Sequence, residues 1–126
     1  MAALVFDSGA LIALERGDRA VAVLLATAVR SGAEAVTSTA CVAQVWRNPA
    51  RQARLTRALV GFVEQDLDRA RARDCGSLLA HSGTNDVVDA SVSLLARDGD
   101  TVLTSDPHDI ARLLKARGIH AQVRAV

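Results

Sequence analysis

The segment Leu4-Val5-Phe6-Asp7-Ser8-Gly9 decides the fold class. Its first three residues form an apolar run that is too short for a helix, and the polar residues after it end the run, so the pattern predicts a buried strand. A second short run, Thr101–Thr104, precedes Ser105-Asp106-Pro107 and predicts another strand. Strands that are buried on both faces are typical of parallel sheets covered by helices. The two runs therefore predict a parallel sheet, with an aspartate after each of these strands.

Predicted helices and further strands alternate along the rest of the chain, since apolar residues recur at helical spacing between short strand-like runs. The predicted helices are one through Leu11 and Leu14 that ends at Gly17, one over Arg19–Arg30, one over 39–47, one begun by Pro49, one over 67–80, one over 86–96 and one begun by Asp106-Pro107. The further predicted strands cover residues 35–37, Phe62–Gln65 (a weak one) and part of 121–126, and a loop is predicted over 81–85. This alternation predicts one α/β domain over residues 1–126, with a central, mostly parallel sheet of four to five short strands and helices on both faces.

Composition excludes several classes of protein. Half of the 126 residues are hydrophobic and 23% are charged, which excludes a disordered chain. No apolar stretch approaches the roughly 20 residues that cross a bilayer, and no basic stretch precedes a cleavable apolar segment, so we expect a cytoplasmic protein with no membrane partner. Cys41 and Cys75 lack the spacing of a metal site and are interpreted as small buried residues without a disulfide.

Basic charge is concentrated in the middle of the chain, although the net charge is only +1. Seven arginines lie between Arg47 and Arg73, against three acidic residues. Three of them, Arg47, Arg51 and Arg54, follow at helical spacing, and we expect them on one helix beside the acidic residues described next. They could bind the phosphates of RNA, or they could form an ordinary solvated helix face. Trp46 could stack on a base or belong to the core.

Carboxylates gather where a parallel sheet carries its functional crevice, beyond the carboxyl ends of the strands. Asp7 and Asp106 each follow a predicted strand, whereas Asp89 interrupts an apolar helix and shares a face with Asp86. Helix capping could account for Asp7 and Asp106, and dipole complementation for Asp86, but neither accounts for Asp89. Three converging carboxylates repel unless divalent cations neutralise them, and oxygen ligands select Mg²⁺ or Mn²⁺, which serve phosphoryl chemistry.

The segments Val5-Phe6-Asp7-Ser8, Asp89-Ala90-Ser91-Val92-Ser93-Leu94-Leu95-Ala96 and Val102-Leu103-Thr104-Ser105-Asp106 together resemble a PIN domain. More narrowly, the chain resembles a VapC-like toxin ribonuclease in order, spacing and length over nearly all of its residues. The resemblance implies a Mg²⁺- or Mn²⁺-dependent endoribonuclease, often a homodimer and usually inhibited by a small antitoxin protein. Its substrate would be tRNA, rRNA or mRNA, and we expect products with 5′-phosphate and 3′-hydroxyl ends.

The resemblance also implies roles for individual residues. It carries Asp7, Asp89 and Asp106 over as catalytic, metal-binding carboxylates and Asp86 as an accessory carboxylate. Thr104 and Ser105 would orient these ligands from behind. The chain departs from the PIN pattern at Gln44, which stands where PIN domains usually place a glutamate. The amide oxygen of Gln44 can still ligate a metal or hold a metal-bound water, but it brings no charge and is a poor base, so metal affinity and catalytic rate should fall.

Two readings of function therefore remain open. The first is the metal-dependent nuclease, and the second is a PIN-fold module that binds RNA or protein with little or no catalysis because of Gln44. A shallow apolar groove formed by the first helices (Leu11, Leu14, Leu24, Leu25) could accept a partner helix, or these leucines could belong to the core. Other phosphate-handling classes are disfavoured, since the chain has neither a P-loop nor a Gly-x-Gly-x-x-Gly segment. The single lysine, Lys115, and Gly9 two residues after Asp7 disfavour a receiver domain and a haloacid-dehalogenase-like phosphatase, respectively.

Overall fold

A computed structural model of the protein describes residues 2–126 and has five short strands at its centre. The strands are β1 (Leu4–Phe6), β2 (Ala35–Ser38), β3 (Phe62–Gln65), β4 (Thr101–Thr104) and β5 (Gln122–Ala125). They form one sheet in the order β3-β2-β1-β4-β5, and every neighbouring pair is parallel. The predicted α/β fold class, with a parallel PIN-like sheet, is confirmed.

Within the described residues, 2–126, seven helices connect the strands. They are α1 (Ser8–Glu15), α2 (Arg19–Arg30), α3 (Thr39–Val45), α4 (Ala53–Val60), α5 (Arg69–Ser82), α6 (Val87–Ser93) and α7 (Pro107–Arg117), with a 3₁₀ turn at Pro49–Arg51 between α3 and α4. Aspartates begin several of these helices by accepting a backbone N–H of the first turn, which satisfies one of its free donors. Asp7, Asp18, Asp68 and Asp86 do so for α1, α2, α5 and α6.

The predicted arginine face is wrong, because the chain between Val45 and Pro49 is not helical. Helix α3 ends at Val45, and Trp46 has extended backbone angles (φ −70°, ψ 128°). Arg47 therefore follows α3 outside any helix, Arg51 lies in the 3₁₀ turn and Arg54 lies on α4. Proline sets the first position of the 3₁₀ turn, and Asn48 caps that turn through its side chain.

Two other helices differ from their predicted bounds. Helix α5 runs through His81 to Ser82, into the predicted loop, and ends at Gly83, whose φ of 70° is the left-handed conformation that glycine adopts without strain. Helix α6 covers only Val87–Ser93 of the predicted residues 86–96. The chain after α6 is held by Arg117. Its side chain donates to the carbonyl oxygen of Ser93, the last residue of α6, and to that of Ala96, beyond the helix.

The core lies on both faces of β1 and β4, and it determines which residues reach the edge of the sheet. Val5, Phe6, Val102 and Leu103 have no exposed surface, and Phe6 lies opposite Leu103 in the register of the two strands. The residues that follow these strands therefore leave the sheet side by side at its carboxyl edge. In the part of the chain that the structure describes, no helix is both long enough and apolar enough to cross a membrane.

Candidate functional site

Asp7 links the start of α1 to the loop between β4 and α7. Its side chain is 3% exposed, and its Oδ1 accepts the backbone N–H of Ala10 at 2.8 Å. Its Oδ2 accepts the backbone N–H of Ser105 at 3.0 Å. The carboxylate thus caps a helix, as one sequence interpretation held, and also fixes the position of the loop that carries Asp106.

Gly9 allows α1 to approach the same loop closely. A Cβ atom built on Gly9 would lie 2.2 Å from the Oγ and 2.4 Å from the Cβ of Ser105. These separations are far below van der Waals contact, so a larger residue would push the loop away. The glycine is therefore required where two segments that carry candidate site residues meet.

Asp89 is the buried carboxylate of the site. Its side chain is only 8% exposed, because α6 packs this face against the rest of the molecule. Its backbone N–H donates to Oδ1 of Asp86 at 2.9 Å, so the exposed Asp86 caps α6. Within residues 2–126, no group hydrogen-bonds the buried Oδ2 of Asp89. A buried, ionised carboxylate oxygen without a partner is costly unless a proton or a bound ligand completes its environment.

The surroundings of Asp89 raise the pKa of its carboxyl to about 8. The first cause is burial, which removes the water that stabilises the charged form. A hydrogen bond to Asp106, open only to the protonated carboxyl, adds to it, and so do the negative charges of Asp86, Asp106 and Asp7. These effects all favour the protonated carboxyl of Asp89, and positive charge nearby would oppose them.

Asp106 occupies the N-cap position of α7 but does not cap the helix with its side chain. Its own backbone N–H donates to the hydroxyl of Thr104, which is fully buried, at 2.8 Å. This bond holds the backbone of Asp106. The carboxylate of Asp106 does not cap α7, so the capping role considered from the sequence is not observed. Thr104 thus contacts the backbone of Asp106 and not its carboxylate.

The structure brings Asp89 and Asp106 together with a third residue, Asp109, from the first turn of α7. One carboxylate oxygen from each lies within 4.8 Å of the other two, and the three could hold a metal ion. Asp109 is not among the site residues expected from the sequence. Its signal is the three-residue spacing from Asp106, which puts both on one face of α7, as the spacing of Asp86 and Asp89 does on α6. Asp7 lies outside this group of three, although its charge acts on Asp89.

The donor set of this cluster fits an oxygen-preferring divalent cation. Its three side chains offer only carboxylate oxygens, and one of them is buried without a hydrogen-bond partner. Over residues 2–126, the one ion pair joins Arg71 to Asp68, so no basic side chain pairs with the cluster. If all three are ionised, carboxylates at this separation repel one another, and a bound cation would offset that repulsion.

Gln44 lies beside the start of α1. Its side chain is exposed, and its Oε1 accepts the hydroxyl of Ser8, the residue after Asp7, at 2.5 Å. Cys41, one turn earlier in α3, is fully buried, and burial raises the pKa of its thiol. Cys41 and Cys75 are both free and buried, so the interpretation of the cysteines is confirmed.

The three arginines proposed for RNA binding are exposed, but they lie in three different segments: after α3, in the 3₁₀ turn and on α4. Arg47 Nη1 donates to the carbonyl oxygen of Trp46 at 2.7 Å, and Arg54 carries its guanidinium to Gly17, 3.1 Å from where a Cβ on that glycine would lie. Gln52 holds the segment in between: its Oε1 accepts the backbone N–H groups of Arg47 and Asn48 at 2.8 and 3.0 Å.

Fold and site together have the form of a PIN-like domain: a parallel sheet with acidic residues at its carboxyl edge. Among solved structures, the chain is similar to a chain of VapBC2 from Rickettsia felis, determined bound to a DNA fragment from their promoter. The TM-score is 0.69, with 12% sequence identity over 98% of each chain. This likeness confirms the expected VapC-like resemblance at the level of the fold. No protein-family model matches the chain, and no curated protein matches its sequence.

Proposed function

We propose that the chain is a Mg²⁺- or Mn²⁺-dependent endoribonuclease, the toxin of a type II toxin–antitoxin pair, with residues 1–126 acting as one PIN-like domain in the cytoplasm. The observation that carries this proposal is the buried, unpartnered oxygen of Asp89 inside a cluster of carboxylates. An aspartate with a purely structural role would be expected to satisfy both of its oxygens. The likeness in fold to a VapBC2 chain supports the same class.

Asp7, Asp89 and Asp106 are the proposed catalytic carboxylates, with Asp86 as the accessory one. When bound, a divalent cation would supply positive charge to the attacked phosphate and activate water for in-line attack. The chain's own groups prepare that site: Asp86 fixes the backbone of Asp89, and Thr104 fixes that of Asp106. Hydrolysis that adds the water oxygen to phosphorus and releases the 3′ oxygen leaves 5′-phosphate and 3′-hydroxyl ends.

The RNA substrate, whether tRNA, rRNA or mRNA, would be held by its phosphates. Arg47, Arg51 and Arg54 are exposed and can approach phosphate oxygens, and no acidic residue interrupts the chain between them. Such contacts hold the backbone of the RNA and do not select its sequence.

The proposed partners are a small antitoxin protein and a second copy of the chain. The chain is similar in fold to a chain of VapBC2, and this likeness supports a partner of the antitoxin class. An acidic cluster without basic neighbours suits a partner that brings a basic residue to Asp7, Asp89 and Asp106 and so competes with the cation.

The second candidate function is a PIN-fold module that binds RNA or protein without cleavage. The observation in its favour is Gln44, whose Oε1 is already engaged by Ser8 and which adds no charge to the site. The two candidate functions differ in RNA cleavage, which can be measured. Only the nuclease needs the carboxylates of the cluster in ionised form.

Cleavage of total RNA by purified, partner-free protein tests the proposal, with Mn²⁺ or with EDTA. Wild type is compared with Asp89→Asn and with Asp74→Asn, which removes an exposed carboxylate on α5. We expect Mn²⁺-dependent cleavage by wild type and Asp74→Asn, and its loss in Asp89→Asn. If folded wild type binds RNA but cleaves none in Mn²⁺, the binding module is the correct function.

A further inference from the structure

We propose that Asp109 is a further carboxylate ligand of the cation, beside Asp89 and Asp106. The inference rests on the proposed function, because it assigns a further residue to the same cation site. Nothing in the VapC-like resemblance carries a role over to Asp109. Its place in the site follows from the structure, in which its oxygen lies within 4.8 Å of oxygens of both other aspartates.

The independent observation that points to a ligand is the burial of Asp89. Its side chain is 8% exposed, and in the described chain its Oδ2 meets no hydrogen-bond donor. The cluster therefore joins one deeply buried carboxylate on α6 to two half-buried carboxylates at the start of α7. Ligands from two packed helices can hold an ion, whereas neighbours along one exposed helix face commonly have no ligand.

An acidic residue in the first turn of a helix has two ordinary explanations, and both are weak for Asp109. In a capping box, its carboxylate would accept the backbone N–H of Asp106, but that N–H donates to Thr104. The positive end of the helix dipole would attract the Asp109 carboxylate equally well if that carboxylate pointed into water. Neither explanation accounts for a carboxylate placed beside two others, where repulsion is greatest.

The packing of α7 explains why Asp109 reaches the cluster. Ile110 is fully buried and fixes the rotation of α7 on the core. Pro107 occupies the first turn and sets where the helix begins. Asp106 and Asp109, three residues apart, then share the face of α7 that is directed to Asp89. Because the core sets this rotation, the site does not depend on a flexible segment.

Mn²⁺ titration tests the inference without using activity. Free Mn²⁺ is counted by electron paramagnetic resonance in the presence of wild type, Asp109→Asn, Asp89→Asn and the control Asp74→Asn. We expect Asp109→Asn to weaken Mn²⁺ binding about tenfold or more, since loss of a residue that merely supports a ligand already costs that much. Thermal unfolding in EDTA checks that each variant folds, and Asp109→Ala serves as a second variant.

The outcomes separate this inference from the proposed function. If Asp89→Asn loses Mn²⁺ binding while Asp109→Asn and Asp109→Ala bind like wild type, Asp109 is not a ligand and the cation site of the proposed function stands. If wild type itself binds no Mn²⁺, both the inference and the metal-dependent function are wrong. Weakened binding in both Asp109 variants, with Asp74→Asn unchanged, supports the assignment.

Discussion

The backbone N–H of Asp106 donates to the hydroxyl of Thr104 at 2.8 Å, and this bond separates Asp106 from the other aspartates that begin helices. In four other helices the aspartate at the start accepts a backbone N–H of the first turn through a carboxylate oxygen; these are Asp7, Asp18, Asp68 and Asp86. Asp106 does not, so its carboxylate stays with Asp89 and Asp109. A buried threonine thus holds the backbone of Asp106, whose carboxylate remains beside those of Asp89 and Asp109.

Replacing Thr104 by valine should therefore weaken Mn²⁺ binding. The change preserves shape but removes the acceptor for the Asp106 N–H, and the lost hydrogen bond should lower the free energy of unfolding by about 1 kcal/mol. We expect Mn²⁺ affinity to fall about tenfold, as when a supporting residue is lost at other metal sites. Thr104→Ser keeps the hydroxyl and should bind nearly as well as wild type. Equal affinity in Thr104→Val and wild type would show that Thr104 does not position Asp106.

Stability in the absence of metal should fall as the pH rises from acid to weakly alkaline. The pKa of Asp89 is raised to about 8 in the folded protein, above the value of about 3.9 in an unfolded chain. Between these values the folded state binds more protons, so its extra stability is fully present below about pH 4 and is lost as the pH rises through 8. Urea unfolding in EDTA across this range should show the decline.

Asp89→Asn should remove most of that decline. The amide cannot ionise, and a charge that burial and three neighbouring aspartates disfavour is no longer formed. At pH 8 the variant should be at least as stable as wild type, although the proposed cleavage of RNA is lost. Asp74→Asn, an exposed change of the same kind, should keep the wild-type pH dependence. A strongly destabilised Asp89→Asn would instead identify Asp89 as a structural residue.

Most of the fold could be predicted from local sequence patterns, because caps and glycines mark the element ends. The bounds of α2 follow from Asp18, which caps its first turn, and the buried run of β1 is closed by Asp7. The end of α3 could not be predicted in this way. Gln52 accepts the N–H groups of Arg47 and Asn48 and donates to the carbonyl oxygen of Val45 at 2.8 Å. These side-chain bonds replace helical ones, and sequence spacing does not reveal them.

The site was predictable in part for a similar reason. Strand ends and one aspartate in an apolar helix indicate Asp7, Asp89 and Asp106, since a parallel sheet brings such ends to one edge. In the structure, the carboxylate of Asp7 accepts two backbone N–H groups, and Asp109, not Asp7, lies in the cluster with Asp89 and Asp106. Which carboxylates meet depends on how α7 rotates against α6, and that is set by core packing.

Gly9→Ala should destabilise the protein by about 1–3 kcal/mol, the usual cost of overpacking. The new Cβ would lie 2.2 Å from the Oγ of Ser105, and part of this clash should be relieved in Gly9→Ala/Ser105→Gly. Gly76 on α5 is the matched control, since a Cβ there meets nothing within 4 Å. Gly76→Ala should stabilise the helix by about 0.5–1 kcal/mol. Thermal unfolding of the three variants measures both effects, and an unchanged Gly9→Ala would contradict the close approach.

Gln52→Ala should cost about 1–3 kcal/mol, because it removes the partner of the buried Val45 carbonyl oxygen and of two part-buried backbone N–H groups. The side chain is 5% exposed and makes four hydrogen bonds, including one from Nε2 to Glu15 at 3.0 Å. Gln52→Glu should also destabilise, since it places a carboxylate against that of Glu15 and against a carbonyl oxygen. Gln122→Ala, at an exposed site on β5, should leave urea unfolding nearly unchanged. Wild-type stability in both Gln52 variants would rule out this network as the cause of the turn after α3.

RNA affinity should depend on where the arginines lie and not only on how many there are. In an Asp89→Asn background that prevents cleavage, replacing Arg47, Arg51 and Arg54 by glutamine should weaken binding of single-stranded RNA. Each lost phosphate contact should reduce the slope of log affinity against log salt by about 0.7, so the triple variant should lose about 2. The control replaces the exposed Arg69, Arg73 and Arg97, which removes the same charge elsewhere. Fluorescence anisotropy between about 50 and 200 mM salt gives both slopes, and equal losses would mean that net charge alone binds the RNA.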